Sequence, residues 1–171
     1  MSAIPNAEQE RHFTDFCERE YGQLVATLSF LLADRWLAED LAQEALARTW
    51  LRWARVSSLD RPDLWVRRVA VNLAHTAWRK GKLLSSGTHG LDRPSPANPE
   101  VDESTVLLYE ALEQLSPRQR TAVTLRFFAD LSVADTAATM QCRDGTVKAL
   151  TSQGIEKLRA AMQPDRENLH E

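Results

Sequence analysis

Apolar residues recur along most of the chain at helical spacing, and no stretch shows the alternation of a half-buried strand. Leu37, Leu41 and Ala45, followed by Trp50 and Trp53, fall near a 3.6-residue period and predict an amphipathic helix from about Trp36 to Arg55. The segment SSLDRPDLW then has the chemistry of a helix start, with Ser58 or Asp60 to cap and Pro62 in the first turn. The helix it opens places Trp65, Val69, Asn72 and Thr76 on one face and Val66, Leu73 and Ala77 on an adjacent one. From Gly81 to Thr105 the texture changes to three prolines, three glycines and little periodicity. A stretch of that length and composition reads as a tether, because an ordinary loop inside one compact domain is shorter.

Helical patterning resumes near Val106. Ser116 is placed to cap a helix that has Pro117 in its first turn, and Ser132 to cap a second, with Asp135 three residues on. The second is short and turns Val133, Ala137 and Met140 inward. After the tight turn QCRD, Asp144 can cap a last helix reaching about Met162. Small residues at Ala134, Ala137 and Ala138 let the two helices cross closely, which is the requirement of a helix-turn-helix. The expected fold is all-α: a helical domain over residues 10–82, a linker over 83–105, a second helical domain over 106–163 and a tail over 164–171.

Charge sharpens this division. The net charge of −3 hides strong segregation. Residues 1–47 carry 3 basic and 9 acidic side chains, residues 48–82 carry 9 and 2, residues 83–115 carry 1 and 6, and residues 116–163 carry 7 and 4. A chain blocked in this way can present a basic face to DNA and acidic faces to a protein. In the last helix Val147, Leu150, Gly154 and Leu158 form the inward face, leaving Lys148, Ala149, Ser152 and Gln153 outward. Lysine donates to guanine, glutamine pairs with adenine and alanine touches a thymine methyl, so this face suits base reading. It is poor in the cations that grip phosphate, which Arg118, Arg120, Arg126 and Arg143 can supply.

Other chemistry is excluded. His12, His75, His89 and His170 are scattered, without metal-ligand spacing, and no nucleophile elbow or phosphate loop occurs, so no enzyme, metal or cofactor is expected. Cys17 and Cys142 read as reduced thiols of a cytoplasmic protein. The opening residues lack the basic start and apolar core of a secretory signal, and no apolar run is long enough to span a membrane.

Taken in order, AEDLAQEALARTWLRW (Ala38 to Trp53), WVRRVAVNLAHTAWRK (Trp65 to Lys80), a tether and LSPRQRTAVTLRFFADLSVADTAATM with GTVKAL resemble the extracytoplasmic-function (ECF) class of sigma-70-type bacterial sigma factors, in the flavour of the actinobacterial SigE-like group. The resemblance spans roughly residues 10 to 163 and implies a promoter-directing subunit of RNA polymerase. It further implies that Asp40, Gln43 and Glu44 dock on the coiled coil of the polymerase β′ subunit. Asn72, with Arg67, Arg68, Arg79 and Lys80, would recognise and melt the minus-ten element, and Trp78 would stack there or be core. Residues 106–163 would read the minus-thirty-five element as duplex through Lys148, Ala149, Ser152 and Gln153, held by Arg118, Arg120 and Arg143. The implied partners are the β and β′ subunits, promoter DNA and an anti-sigma factor. Leu150 and Gln153 stand where many members have arginine, and Thr76 where an acidic residue is common, so the promoter preference does not carry over. The rival reading is a stand-alone helix-turn-helix regulator, which would have no use for a basic, Trp-rich first domain.

Overall fold

A computed structural model of the chain describes residues 7–84 and 102–163. All regular structure there is helical, and the chain divides into two compact units, Met1–His89 and Gly90–Glu171. Most of the expected linker over 83–105, the tail over 164–171, His89 and His170 lie outside the described residues.

The first unit is built from α1 (Ala7–Leu32), α2 (Arg35–Trp50), the single turn α3 (Trp53–Val56) and α4 (Pro62–Leu84). Ala33 ends α1 in the left-handed region at φ 53°, its amide donating to the Ser29 carbonyl. Asp34 then caps α2, accepting from the Leu37 amide at 2.9 Å. Helices α1, α2 and α4 pack on one another around Phe16, Leu24, Leu28, Ala42, Val66 and Ala70. Aromatic contacts close one side: Phe13 stands 4.8 Å from Trp50 and 5.1 Å from Trp53, and Phe16 stands 5.0 Å from Trp53, ring centre to ring centre.

The helix expected from Trp36 to Arg55 is thus two helices. It breaks at Leu51 and Arg52, where no proline or glycine marks the sequence. The break leaves Leu51 80% exposed while Trp53 is buried. In α4 the core seam is Val66, Ala70 and Ala74, flanked by Val71; Leu73 and Ala77 are half-buried. Pro62 does open α4, but the Ser58 hydroxyl donates back to the Arg55 carbonyl.

The second unit comprises α5 (Glu103–Glu113), α6 (Pro117–Val123), α7 (Val133–Met140) and α8 (Asp144–Met162), with α8 packed on α5, α6 and α7. Helix α5 begins three residues before the expected Val106. Ser116 and Ser132 cap α6 and α7 as expected, and Gln119 completes a reciprocal capping box with Ser116. Helix α6 runs on into a π-helical turn, Thr124–Phe128, closed by the Ala129 amide on the Thr124 carbonyl. Gln141, at φ 53°, makes the turn between α7 and α8. Asp144 is the first residue of α8 and makes no side-chain cap; Arg143 occupies the N-cap position.

The interior of α7 differs from expectation. Ala137 is buried, but its companions are Thr136 and Thr139, and Val133 and Met140 are only half-buried. Thr139 donates to the Asp135 carbonyl one turn back, as buried Thr27, Thr49 and Thr121 do to their own preceding turns. A threonine satisfied in this way enters a core at little polar cost.

Candidate polymerase-docking and nucleic-acid surfaces

On α2 the core residues Ala38, Ala42 and Ala45 hold one side against α1 and α4, which turns Asp40, Gln43 and Glu44 into solvent. Their i, i+3, i+4 spacing makes them one patch. Glu44 bonds Arg48 at 2.6 Å and the neighbouring Glu39 bonds Arg35 at 3.0 Å, both along the helix surface. Two large apolar residues mark the ends of the same helix face: Trp36, 68% exposed, and Leu51, 80% exposed. An acidic-polar stripe with apolar ends suits a basic protein surface that also offers hydrophobic pockets. The charge pattern pointed to Asp40, Gln43 and Glu44; Trp36 and Leu51 were not legible, because exposed and buried tryptophans look alike in sequence.

On α4 the residues expected to meet DNA separate into two groups. Asn72, Arg79 and Lys80 are exposed, and Arg79 reaches the Thr76 hydroxyl at 3.4 Å. Arg68 and Trp78 are half-buried. Arg67 points the other way. It is buried, with its guanidinium on the Glu20 carboxylate at 3.2 Å and the Gln23 side-chain oxygen at 2.7 Å. A guanidinium spent on α1 inside the bundle is not available to a phosphate, so Arg67 is removed from the DNA-facing set. Trp65 is half-buried with the Arg55 guanidinium 6.0 Å from its ring centre, and its buried indole N–H has no hydrogen-bond partner among the described residues. At the start of α4, Arg61 clamps Asp63 through two bonds of 3.0 and 2.8 Å, which holds the Asp63 carboxyl below its ordinary pKa.

In the second unit, α8 turns Val147, Gly154 and Leu158 inward and keeps Lys148, Ala149, Ser152 and Gln153 in solvent. Arg118, in the first turn of α6, and Arg143, at the N-cap of α8, are exposed. Arg126 is half-buried, its guanidinium turned onto the Leu131 carbonyl. Arg120 is the second correction: it is 3% exposed, near enough to the Tyr109 phenol to oppose the rise in pKa that burial imposes there. A guanidinium this buried is not presented to a phosphate. Phe127, 60% exposed on the π-helical turn, is a further surface residue that helical periodicity does not single out.

The family models for sigma-70 region 2 and for region 4 match residues 16–83 and 105–158, one in each unit. The RNA polymerase sigma-E factor of Streptomyces coelicolor is 32% identical over 148 residues, covering 86% of this chain and 84% of that one. The chain belongs to the sigma-70 family of RNA polymerase sigma factors. The ECF RNA polymerase sigma factor SigL of Mycobacterium tuberculosis is 28% identical over 141 residues, 78% of each chain. Among solved structures, the sigma factor RpoE from Bartonella quintana, determined in complex with the anti-sigma factor NepR, matches with a TM-score of 0.70 at 25% identity, covering 91% of this chain and 99% of that one.

As a sigma factor of the ECF class, the protein directs transcription initiation by RNA polymerase. The region 2 match contains the α2 stripe and the exposed residues of α4. The region 4 match contains the helix-turn-helix and the outward face of α8. No helix of the described residues is long and apolar enough to cross a membrane.

Proposed function

We propose that the two units divide the work of promoter recognition. The first docks on core polymerase through Asp40, Gln43 and Glu44 of α2, with Trp36 and Leu51 as apolar anchors, and opens DNA through α4. Its contacts there are Asn72 and the cations Arg68, Arg79 and Lys80: an extruded base needs a polar pocket, and the displaced strand needs positive charge. The second unit reads the upstream element as duplex with Lys148, Ala149, Ser152 and Gln153, while Arg118 and Arg143 hold phosphates. The segment between the units is a tether, and the protein works in the cytoplasm with no cofactor. The RpoE structure, in which a sigma factor is held by an anti-sigma factor, supports an antagonist of that kind as a further partner.

The observation that carries this reading is the outward face of α8, which is exposed, rich in reading side chains and poor in cations. Such a helix binds weakly alone, because phosphate contacts dominate affinity. Delivery by polymerase together with a second DNA-contacting unit on one chain supplies the missing affinity. Run-off transcription with core polymerase, mapping of the 5′ ends and footprinting with and without core test it. The expected result is footprints only with core. A footprint made equally well by the free protein would favour a stand-alone regulator instead.

A further inference from the structure

Gln153 is exposed, but it is not free to present either end of its carboxamide. Two hydrogen bonds decide its orientation, and a third, from the Gln119 backbone, completes the cap they start from. The Ser116 amide donates to Gln119 Oε1 at 3.2 Å, and the Gln119 amide donates to the Ser116 hydroxyl at 3.3 Å. A backbone N–H can only donate, so the Gln119 atom facing it is the oxygen, and the remaining end of that side chain is its amino group. That amino group, Nε2, donates to Gln153 Oε1 at 3.2 Å. The oxygen of Gln153 is therefore drawn toward α6, where Gln119 is only 8% exposed, and the amino group is left pointing to solvent. Gln153 Nε2 has no hydrogen-bond partner among the described residues.

The close crossing of α6 and α8 makes this reach possible. Gly154 follows Gln153, and a Cβ on it would sit 2.6 Å from Val123 Cγ2 and 3.8 Å from Gln119 Cβ. Without a side chain at 154, α8 lies close enough to α6 for two glutamines 34 residues apart to bond directly.

We propose that Gln119 is a positioning residue for base selection: it locks the Gln153 carboxamide with its amino group outward, so that α8 presents a hydrogen-bond donor and selects guanine at one base pair of the upstream element. Guanine offers two adjacent acceptors, O6 and N7, in the major groove; adenine and cytosine present an exocyclic amino donor, and thymine a single acceptor, O4, beside its methyl. A freely rotating glutamine would instead favour adenine, which it pairs with bidentately. The proposal rests on the reading that the outer face of α8 meets base edges.

The test compares holoenzymes made with the full chain on a promoter library randomised through the upstream element. Gln119→Glu keeps the acceptor for the Ser116 amide, and glutamate is at home at this capping-box position near a helix N-terminus. It has no amino group to donate, so it accepts from Gln153 Nε2 and turns the Gln153 oxygen outward. Wild type is expected to enrich guanine about tenfold at one position, Gln119→Glu to shift that position toward adenine or cytosine, and Gln153→Ala to flatten it with or without Gln119→Glu. Gln119→Met, which neither donates nor accepts strongly, is expected to broaden the preference, and it guards against a fold defect particular to the carboxylate. If Gln153→Ala flattens the position while both Gln119 variants keep guanine, the relay is wrong and base reading by Gln153 stands. If Gln153→Ala leaves the logo unchanged, base reading at this residue fails and the relay falls with it.

Discussion

The Arg67 guanidinium meets the Glu20 carboxylate at 3.2 Å across 47 residues of sequence, with the two side chains only 8% and 13% exposed. Two further guanidinium nitrogens of Arg67, Nε and Nη1, are buried with no hydrogen-bond partner among the described residues. Among the described residues this buried cation is hydrogen-bonded to the Glu20 carboxylate and the Gln23 amide, with the Asp63 carboxylate close enough to feel its charge. Removing the carboxylate strands the charge in the bundle, and Glu20→Ala is expected to destabilise the first unit by about 3 kcal/mol. Replacing both partners with apolar residues, Arg67→Met with Glu20→Leu, is expected to recover most of that loss. Urea unfolding of Glu20→Leu, Arg67→Met and their combination measures the coupling; additive losses would show that the two residues do not act as a pair.

The α2 stripe predicts a loss of binding without a loss of fold. Asp40, Gln43 and Glu44 are all exposed, and the one ion pair among them, Glu44 with Arg48, is a surface pair. Asp40→Arg with Glu44→Arg is expected to abolish assembly with core polymerase while helicity and melting temperature barely change. Trp36→Ala and Leu51→Ala are each expected to weaken assembly about tenfold, as truncation of an anchor residue does. Native gel mobility with core, set beside circular dichroism, reads both effects. Undiminished assembly by the charge-reversed protein would remove α2 as the docking helix.

Promoter opening is expected to separate the arginines of α4. Asn72→Ala, and Arg79→Ala with Lys80→Ala, should lower permanganate reactivity of promoter thymines while leaving holoenzyme assembly intact, because these residues are exposed. Arg67→Met should lower stability and leave opening by the folded protein unchanged. Opening defects as large in Arg67→Met as in the Arg79–Lys80 variant would return Arg67 to the DNA-facing set.

Gly154 predicts a cost where helix propensity alone predicts a gain. Alanine is better than glycine inside a helix by roughly 1 kcal/mol. At this position its Cβ would lie 2.6 Å from Val123 Cγ2, on a β-branched side chain that is 1% exposed and stiff at χ1. Overpacking should outweigh propensity, so Gly154→Ala is expected to destabilise the second unit by about 1–3 kcal/mol. Val123→Ala introduced with it should recover part of the loss. A melting temperature raised by Gly154→Ala would mean that α8 shifts away from α6 without penalty.

The pH prediction concerns Asp63. Its carboxyl is held below the ordinary value of 3.8 first by the hydrogen bond from Arg61. The lowered folded-state pKa means that the stabilisation is present above the unfolded value and is lost as pH falls through the folded one. Because the pair lies at the surface, with Arg61 exposed and Asp63 half-buried, Asp63→Asn is expected to cost under about 1 kcal/mol at neutral pH. The wild-type and variant stabilities should converge in acid below pH 3.8. A gap between the two that persists unchanged into strong acid would exclude this ion pair as its source.

Local chemistry was enough for much of the molecule. Ser116, Pro117 and Ser132 mark helix starts because a hydroxyl that accepts a backbone amide, and a ring that needs no donor, act within a single turn. The outward placement of Asp40, Gln43 and Glu44, and of Lys148, Ala149, Ser152 and Gln153, follows from helical period and polarity on one element. What depends on a second element could not be read that way. The break after Trp50 arises where Trp53 packs on Phe13 and Phe16 of α1, with no breaker in its own sequence. Arg67 and Arg120 look like the exposed arginines beside them, and only the packing of other helices buries them, Arg67 bonding Glu20 and Gln23 of α1. Gln153 has its outward face from sequence, but which end of its amide faces out depends on Gln119, because a carboxamide is donor and acceptor at once until a neighbour fixes it.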